Sequence, residues 1–350
     1  MSDGVGRTHR WPFVGHDSAV QDVSGAILAE QPSHAYLITG PVGVGRTTVA
    51  RWIAQSLNCE RPAVERPCGE CGACRRMTNG SHPDVTIVDL DWQATMISAP
   101  RGDTSRVRQR LSIDTIRWLR QDIVTRPVMG RWKVQIIDDA GLFSDTAPDA
   151  FLKTLEEPPP YAVIILIAES PDAVSETVRS RCRHISLGTV PAAKIRQVLE
   201  ERGTPAAAAA AIARSAHGRI AWAIRMAGDP DLLRSRREQI ERAFEHLSTP
   251  LGRVEISGII ATNHSRNRDT TYDLLNTYTG LWRDALLYRS GLDDATVYPE
   301  IGERLSAYAR TFDIAELRRA VWATQRCMDD LDSNIQARIA LHAMVMQWPG

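Results

Sequence analysis

The 350-residue sequence has no net charge: 42 Lys and Arg balance 42 Asp and Glu, with nine His counted as neutral. That balance excludes whole-molecule electrostatic steering onto DNA or anionic lipid, while leaving local patches open. No run of 18 consecutive apolar residues occurs, which excludes a membrane-spanning helix. Met1 to Arg10 is polar and lacks the apolar stretch of a signal peptide, so the expectation is a cytoplasmic protein with no membrane partner. Cysteine is scarce. Four of the six crowd into one short segment, which argues for a metal site rather than a secreted disulfide framework. None of the nine His falls in a Cys/His or Ser/His/Asp arrangement. Lysine is nearly missing, with only Lys133, Lys153 and Lys194, and arginine supplies the rest of the positive charge. Codon bias accounts for that most simply, and it bears on one key position below.

What is present is globular. The hydrophobic share is 43%, and the length suits two or three domains. Between residues 20 and 190, strand-like and helix-like segments alternate. Ala35-Tyr36-Leu37-Ile38-Thr39 enters a glycine-rich turn, and Thr47 to Leu57 reads as a helix. Val85 to Val88, Lys133 to Ile137 and Val163 to Ile167 are β-branched runs of strand length. Strands of this kind separated by helices predict a parallel sheet covered on both faces. From Pro191 the pattern turns helical, through Pro191 to Arg202 and the alanine run Ala206 to Ala211. Asp229-Pro230 and Thr249-Pro250 are punctuation, followed by amphipathic segments at Thr271 to Tyr288, Ile314 to Leu331 and Asn334 to Met346.

Gly40-Pro41-Val42-Gly43-Val44-Gly45-Arg46-Thr47 fits the phosphate-loop pattern G-x4-G-K-[ST] everywhere except the lysine. Its glycines let backbone N–H groups turn toward an anion at a helix N-terminus. Arg46 keeps the charge but is longer, planar and forked, so it is no simple substitute for lysine. Opposite lies Ile136-Ile137-Asp138-Asp139, an apolar strand ending in an aspartate, the usual seat of Mg²⁺. Asp139 stands where hydrolysis generally needs a glutamate, and its carboxylate stops about 1.5 Å short. A misplacement of about 1 Å can slow catalysis on the order of 100-fold. A solvated strand-end turn is the alternative account of both aspartates. Taken together, the departures weigh against an efficient ATPase.

Cys59, Cys68, Cys71 and Cys74 have the spacing C-x8-C-x2-C-x2-C, with Gly69 and Gly72 allowing tight knuckles. Four soft thiolates with no open position describe a closed, structural zinc site. Disulfides and an iron–sulfur cluster are the rivals, but the run lacks the C-x3-C-P continuation of ferredoxins. Arg61, Arg66, Arg75 and Arg76 could offset the negative charge.

With these motifs on one chain, the sequence resembles the bacterial clamp-loader subunits of the DNA polymerase III holoenzyme, which are AAA+ proteins. Val14-Gly15-His16 and His34-Ala35-Tyr36-Leu37 match that family's N-terminal segments, and Asp149 to Pro159 its segment after the Mg²⁺ strand. Ser180-Arg181-Cys182 matches its Ser-Arg-Cys motif. The resemblance implies an α/β AAA+ core over residues 1–188 with a zinc module at 59–74. It also implies a three-helix lid over 189–243 and an all-α collar over 244–350.

The family contains motor subunits, gamma and tau, that hydrolyse ATP, and delta prime subunits that generally do not and lend an arginine finger to a neighbour. Arg46 replaces the motor's lysine and Asp139 its glutamate; Ala221 replaces the second sensor's arginine, and Glu169-Ser170 the first sensor's threonines. Arg219 would face differently from Ala221 on a helix. Arg181, at the finger position, is intact, and the chain ends at Gly350 without a polar tail. The resemblance therefore implies the delta prime class: zinc bound, ATP and Mg²⁺ not bound, and partners in gamma/tau and delta subunits. It implies a hetero-oligomer that reaches the sliding clamp and primed DNA through the complex. A divergent ATP-hydrolysing motor is the alternative. Against the finger, Arg179, Arg181 and Arg183 alternate as if along a solvated strand, and Cys182 and Cys327 are simple buried thiols. The nine basic residues from Arg101 to Lys133, set against three acids, could touch the DNA backbone inside an assembled loader, but solvated helix faces are the commoner outcome. Few aromatics accompany them, so no DNA-binding module is read from them.

Overall fold

The computed structural model describes residues 15–96, 110–143, 147–264, 268–333 and 335–349. Val14, the stretch from Arg101 to Gln109, and Asn334 lie outside the described residues. The chain divides into two compact units. One comprises Met1–Ile195 with Gly218–Trp222, and the other Arg196–His217 with Ala223–Gly350.

The first unit is built on five parallel strands, β1 (Ala35–Thr39), β2 (Val85–Val88), β3 (Lys133–Ile137), β4 (Ala162–Ala168) and β5 (Arg183–Ser186), in the order β2-β3-β4-β1-β5. Every residue of β1, β3 and β4 is buried. That explains the largely apolar sequence of β1 and β4, because this parallel sheet is covered on both faces. In β3 the polar side chains are buried with partners, Lys133 on Asp122 and Gln135 on the Leu119 carbonyl and Asp122. Successive side chains point to opposite faces. Tyr36, Ile38, Val134, Ile136, Val163 and Ile165 pack with Val49, Trp52 and Ile53 of α2 (Arg46–Asn58) and with Val23 and Ile27 of α1 (Asp17–Leu28). On the opposite face Leu37, Ile137, Ile164 and Leu166 share a core with Ile116, Leu119 and Ile123. Those three residues belong to α5 (Ile113–Ile123), which follows α3 (Gly72–Thr78) and α4 (Leu90–Met96). Phe151 and Leu155 of α6 (Ala147–Glu156) complete this face. The short α7 (Glu176–Arg179) precedes the edge strand β5, which buries only Ile185. The expected strands therefore form with these bounds, and the one expected through Arg179 and Arg181 does not. Arg179 ends α7, Arg181 lies in the following turn, and β5 begins only at Arg183.

Helix α8 (Ala192–Glu201) is followed by α9 (Ala206–Ser215) and α10 (Ile220–Gly228). The second unit continues with α11 (Pro230–Leu247), α12 (Pro250–Asn263), α13 (Arg268–Arg289), α14 (Gly302–Ala309), α15 (Ile314–Asp332) and α16 (Ala337–Val345). The two Xaa-Pro pairs read as punctuation are helix starts. Asp229 caps Asp231 and Leu232, and Thr249 caps Gly252, with proline at the first helical position of each. Asp313 and Glu316 form a reciprocal capping box at the start of α15. One continuous core runs through this unit from Ile240 to Trp348, with Trp282, Tyr278 and Tyr298 almost fully enclosed.

Asp284 lies in that core, its Oδ2 accepting the backbone N–H groups of Val297 at 2.8 Å and Tyr298 at 2.7 Å. Burial raises its carboxyl to about 6, against the pull of those two N–H donors and of nearby Arg283, with Glu300 pushing the same way as burial. The folded chain thus holds a proton that the unfolded chain has lost. Stability from this group is complete below about pH 4 and declines as pH rises to about 6, by on the order of 2–3 kcal/mol. Asp284→Asn keeps an acceptor for both N–H groups without the charge. Its melting temperature relative to the parent chain should rise between pH 4 and pH 6.5; a constant difference across that range contradicts the assignment.

Candidate functional site

Strand β1 delivers the chain directly into the phosphate loop. Gly40 has φ 147°, and a Cβ there would fall 2.2 Å from the Leu187 carbonyl oxygen, so no other residue fits. Gly45, in the left-handed region, is the N-cap of α2. His16, buried in the N-terminal segment, contacts the loop through Nε2, 3.4 Å from the Val44 carbonyl. The hydroxyl of Thr47 donates to Asp138 Oδ2 at 2.9 Å, joining loop and β3 strand end at the two groups that would hold Mg²⁺.

The surroundings of that pair are unlike a hydrolytic centre. Asp139 adopts φ 70° in the turn after β3, with its carboxylate beside Gly141, where a Cβ would meet Oδ1 at 3.1 Å. Burial raises its pKa; Arg46 opposes that shift, and Glu169 and Asp138 add to it. A carboxylate enclosed this way is poorly placed to polarise water. Arg46 carries a buried Nη1 with no hydrogen-bond partner. The loop is also bordered from within the first unit by Gly218–Trp222. Trp222 N–H donates to the Gly43 carbonyl at 3.1 Å, and Arg219 stacks its guanidinium 5.1 Å from the Trp222 ring centre. A Cβ on Gly43 would meet Cβ of Trp222 at 3.1 Å and of Arg219 at 3.4 Å, while one on Gly45 would meet the Ala221 methyl at 3.8 Å. Ala221 thus presents a methyl group where a phosphate would want a donor. Arg219 and Ala221 both border the loop, a juxtaposition their helical spacing alone does not reveal. The signal that could have exposed it is Gly218, at φ 82° and so close to Thr189 that a Cβ would come within 2.4 Å of it.

The four cysteines converge. Their Sγ atoms all lie within 4.8 Å of one another, with Cys59–Cys71 at 4.0 Å and Cys68–Cys74 at 3.9 Å. Zinc–sulfur bonds of about 2.3 Å in a tetrahedron place sulfurs about 3.8 Å apart, so the set fits a four-thiolate ion closely. Backbone N–H groups of Cys71 and Cys74 point at Cys68 Sγ (3.3 Å) and Cys71 Sγ (3.4 Å). At Cys68, burial acts to raise the thiol, but N–H donors from Glu70 and Cys71 prevail and bring it to about 7. Burial pushes the Cys74 thiol up. Gln55 on α2 donates to the Cys74 carbonyl at 3.1 Å, and Glu60 accepts from the backbone of Ala73 at 3.0 Å, which ties the knuckle to the core. Of the four arginines expected to offset the cluster's charge, Arg61 pairs with Glu70 and also feels Cys68 through space, and Arg66 pairs with Glu30.

Arg181 sits at the surface between α7 and β5, its side chain 35% exposed. Nη2 meets Glu156 Oε1 at 2.6 Å, and Nη1 donates to the Thr177 carbonyl at 2.8 Å and to Ser180 Oγ at 3.3 Å. Its neighbours are paired as well, Arg179 with Asp172 and Arg183 with Asp22.

Residues 15–191, just over half of the chain, match the family described as DNA polymerase III, delta subunit. The chain belongs to that family. Its α/β fold with a five-stranded parallel sheet is that of the AAA+ clamp-loader family. Among curated relatives, DNA polymerase III subunit tau of Bacillus subtilis is 36% identical over 170 residues, 49% of this chain and 27% of the relative. Subunit gamma/tau of Mycobacterium tuberculosis is 32% identical over 186 residues, 53% of this chain and 30% of that protein. The chain spans less than a third of the length of these relatives. Among solved structures, a gamma subunit-related protein from Thermotoga maritima is 17% identical, with 94% of this chain and 98% of that chain covered at a TM-score of 0.42. No helix among the described residues is long and apolar enough to cross a membrane.

Proposed function

We propose that this chain is a delta prime subunit of the DNA polymerase III clamp loader, a stator that does not hydrolyse ATP itself. It assembles with gamma/tau and delta subunits and presents Arg181 to the triphosphate of a neighbouring motor, so that the complex loads the sliding clamp on primed DNA. Residues 1–188 supply the AAA+ core, 189–243 a helical lid and 244–350 the collar through which the subunits join. Zinc, held by Cys59, Cys68, Cys71 and Cys74, is structural: the site is closed and leaves no position for substrate.

The observation that carries this reading is the contrast between two regions of one domain. At the phosphate loop, Asp139 is enclosed by burial, Glu169 adds negative charge and Ala221 offers no donor. At the opposite motif Arg181 is surface-exposed, held by its own chain and has N–H groups to spare. An arginine supplied in trans stabilises charge on the transferred phosphoryl group whether or not its own subunit binds nucleotide.

A second reading, a divergent motor, draws on the Thr47–Asp138 pair and on the unpartnered Arg46 Nη1, which an anion would satisfy. Calorimetric titration of the purified chain with a non-hydrolysable ATP analogue and Mg²⁺ separates the two. The stator reading expects no heat of binding at high micromolar nucleotide; one-to-one binding favours the motor.

A further inference from the structure

We propose that Glu156 is a positioning residue for Arg181, holding the finger in the pose in which it meets a neighbour's triphosphate. The proposal rests on the reading of Arg181 as that finger. Glu156 ends α6 directly after Leu155, and α6 is anchored in the core by Leu155 and Phe151, both essentially inaccessible. Arg181 follows α7, pinned by fully buried Val178. Two rigid backbones therefore bring the carboxylate to the guanidinium at 2.6 Å, and the Thr177 carbonyl and Ser180 hydroxyl fix the other terminal nitrogen.

A guanidinium has five N–H groups in one plane. Three are engaged here, leaving Nε–H and one Nη2–H for an outside acceptor. The contacts thus immobilise the side chain without using all its donors. A long arginine side chain loses substantial rotamer freedom when it is ordered, and ordering it before the neighbour's nucleotide arrives removes that cost from the transition state. Arg179 and Arg183 are held by Asp172 and Asp22, so neither is available to replace Arg181 in the grip of Glu156.

The test is a double-mutant cycle in the reconstituted loader, read as ATP turnover with KM and kcat resolved and with the melting temperature of each variant chain. Glu156→Ala should lower kcat at the site that Arg181 serves by about tenfold, leave KM for ATP unchanged because ATP is bound by the motor, and leave the melting temperature unchanged. Glu156→Gln retains an acceptor oxygen and should recover most of that loss. In an Arg181→Ala background, Glu156→Ala should have no further effect. Unchanged or raised kcat in Glu156→Ala, or a full second loss in the Arg181→Ala background, overturns the positioning role while the finger reading stands. Unchanged turnover in Arg181→Ala alone overturns the finger reading, and the positioning role with it. If Glu156→Ala melts early, Glu156→Gln and Glu156→Asp carry the same comparison.

Discussion

Replacing Arg181 with alanine should slow the neighbouring motor's hydrolysis by about a thousandfold at the site it completes, the lower end of the range for fingers supplied in trans. Steady-state turnover of the whole assembly should then fall to what its other sites supply. The chain itself should remain folded. Arg181 is a surface residue whose ion pair with Glu156 lies in the exposed class that contributes about 0–1 kcal/mol. The loss is therefore one of transition-state stabilisation: kcat drops, while binding of ATP to the motor and assembly of the complex persist. Arg181→Lys should recover little, because a point charge cannot donate to Thr177, Ser180 and Glu156 and still offer two N–H groups to phosphate.

The second large effect concerns the cysteines. The purified chain, unfolded in denaturant, should release one equivalent of zinc, and Cys74→Ser should release far less. Cys74 and Cys59 are buried, and a metal that binds only the folded state adds its binding free energy to stability. Loss of the ion should destabilise the knuckle by at least about 3 kcal/mol, seen as a lowered first melting transition and early proteolysis between residues 59 and 78. The sheet should survive, since the Ile136, Ile165 and Trp52 core does not depend on the sulfur cluster. A chain that yields no zinc and melts identically with and without a chelator contradicts the metal assignment.

The parts of this molecule that were legible in its sequence are those determined by short-range pattern. Buried parallel strands are largely apolar, so β1 and β4 declare themselves, and β3 does so through Val134, Ile136 and Ile137. Thiolates around one ion need short spacings, so the knuckle does too. The phosphate loop is recognisable because its glycines answer to local backbone geometry, as Gly40 against the Leu187 carbonyl illustrates.

What stayed hidden depends on distant parts of the chain meeting. Nothing local says that Gly218–Trp222 returns to border Gly43 and Gly45, or that Glu156 meets Arg181. Arginine alternation at 179, 181 and 183 imitates a strand, yet hydrogen bonding starts β5 only at Arg183 because the preceding residues close the α7 turn. The role of Asp139 was likewise invisible. Its one-methylene difference from glutamate is apparent in the sequence, but its burial and its left-handed backbone at φ 70° are not.

The central claim is that this chain contributes a finger and not a nucleotide site. The most direct measurement compares Arg46→Ala with Arg181→Ala in the same reconstituted loader, with assembly verified for both. The account predicts that Arg46→Ala leaves ATP turnover within about twofold of the parent complex, while Arg181→Ala removes the turnover of the site it faces. Loss of turnover in Arg46→Ala, with the complex still assembled, would contradict it.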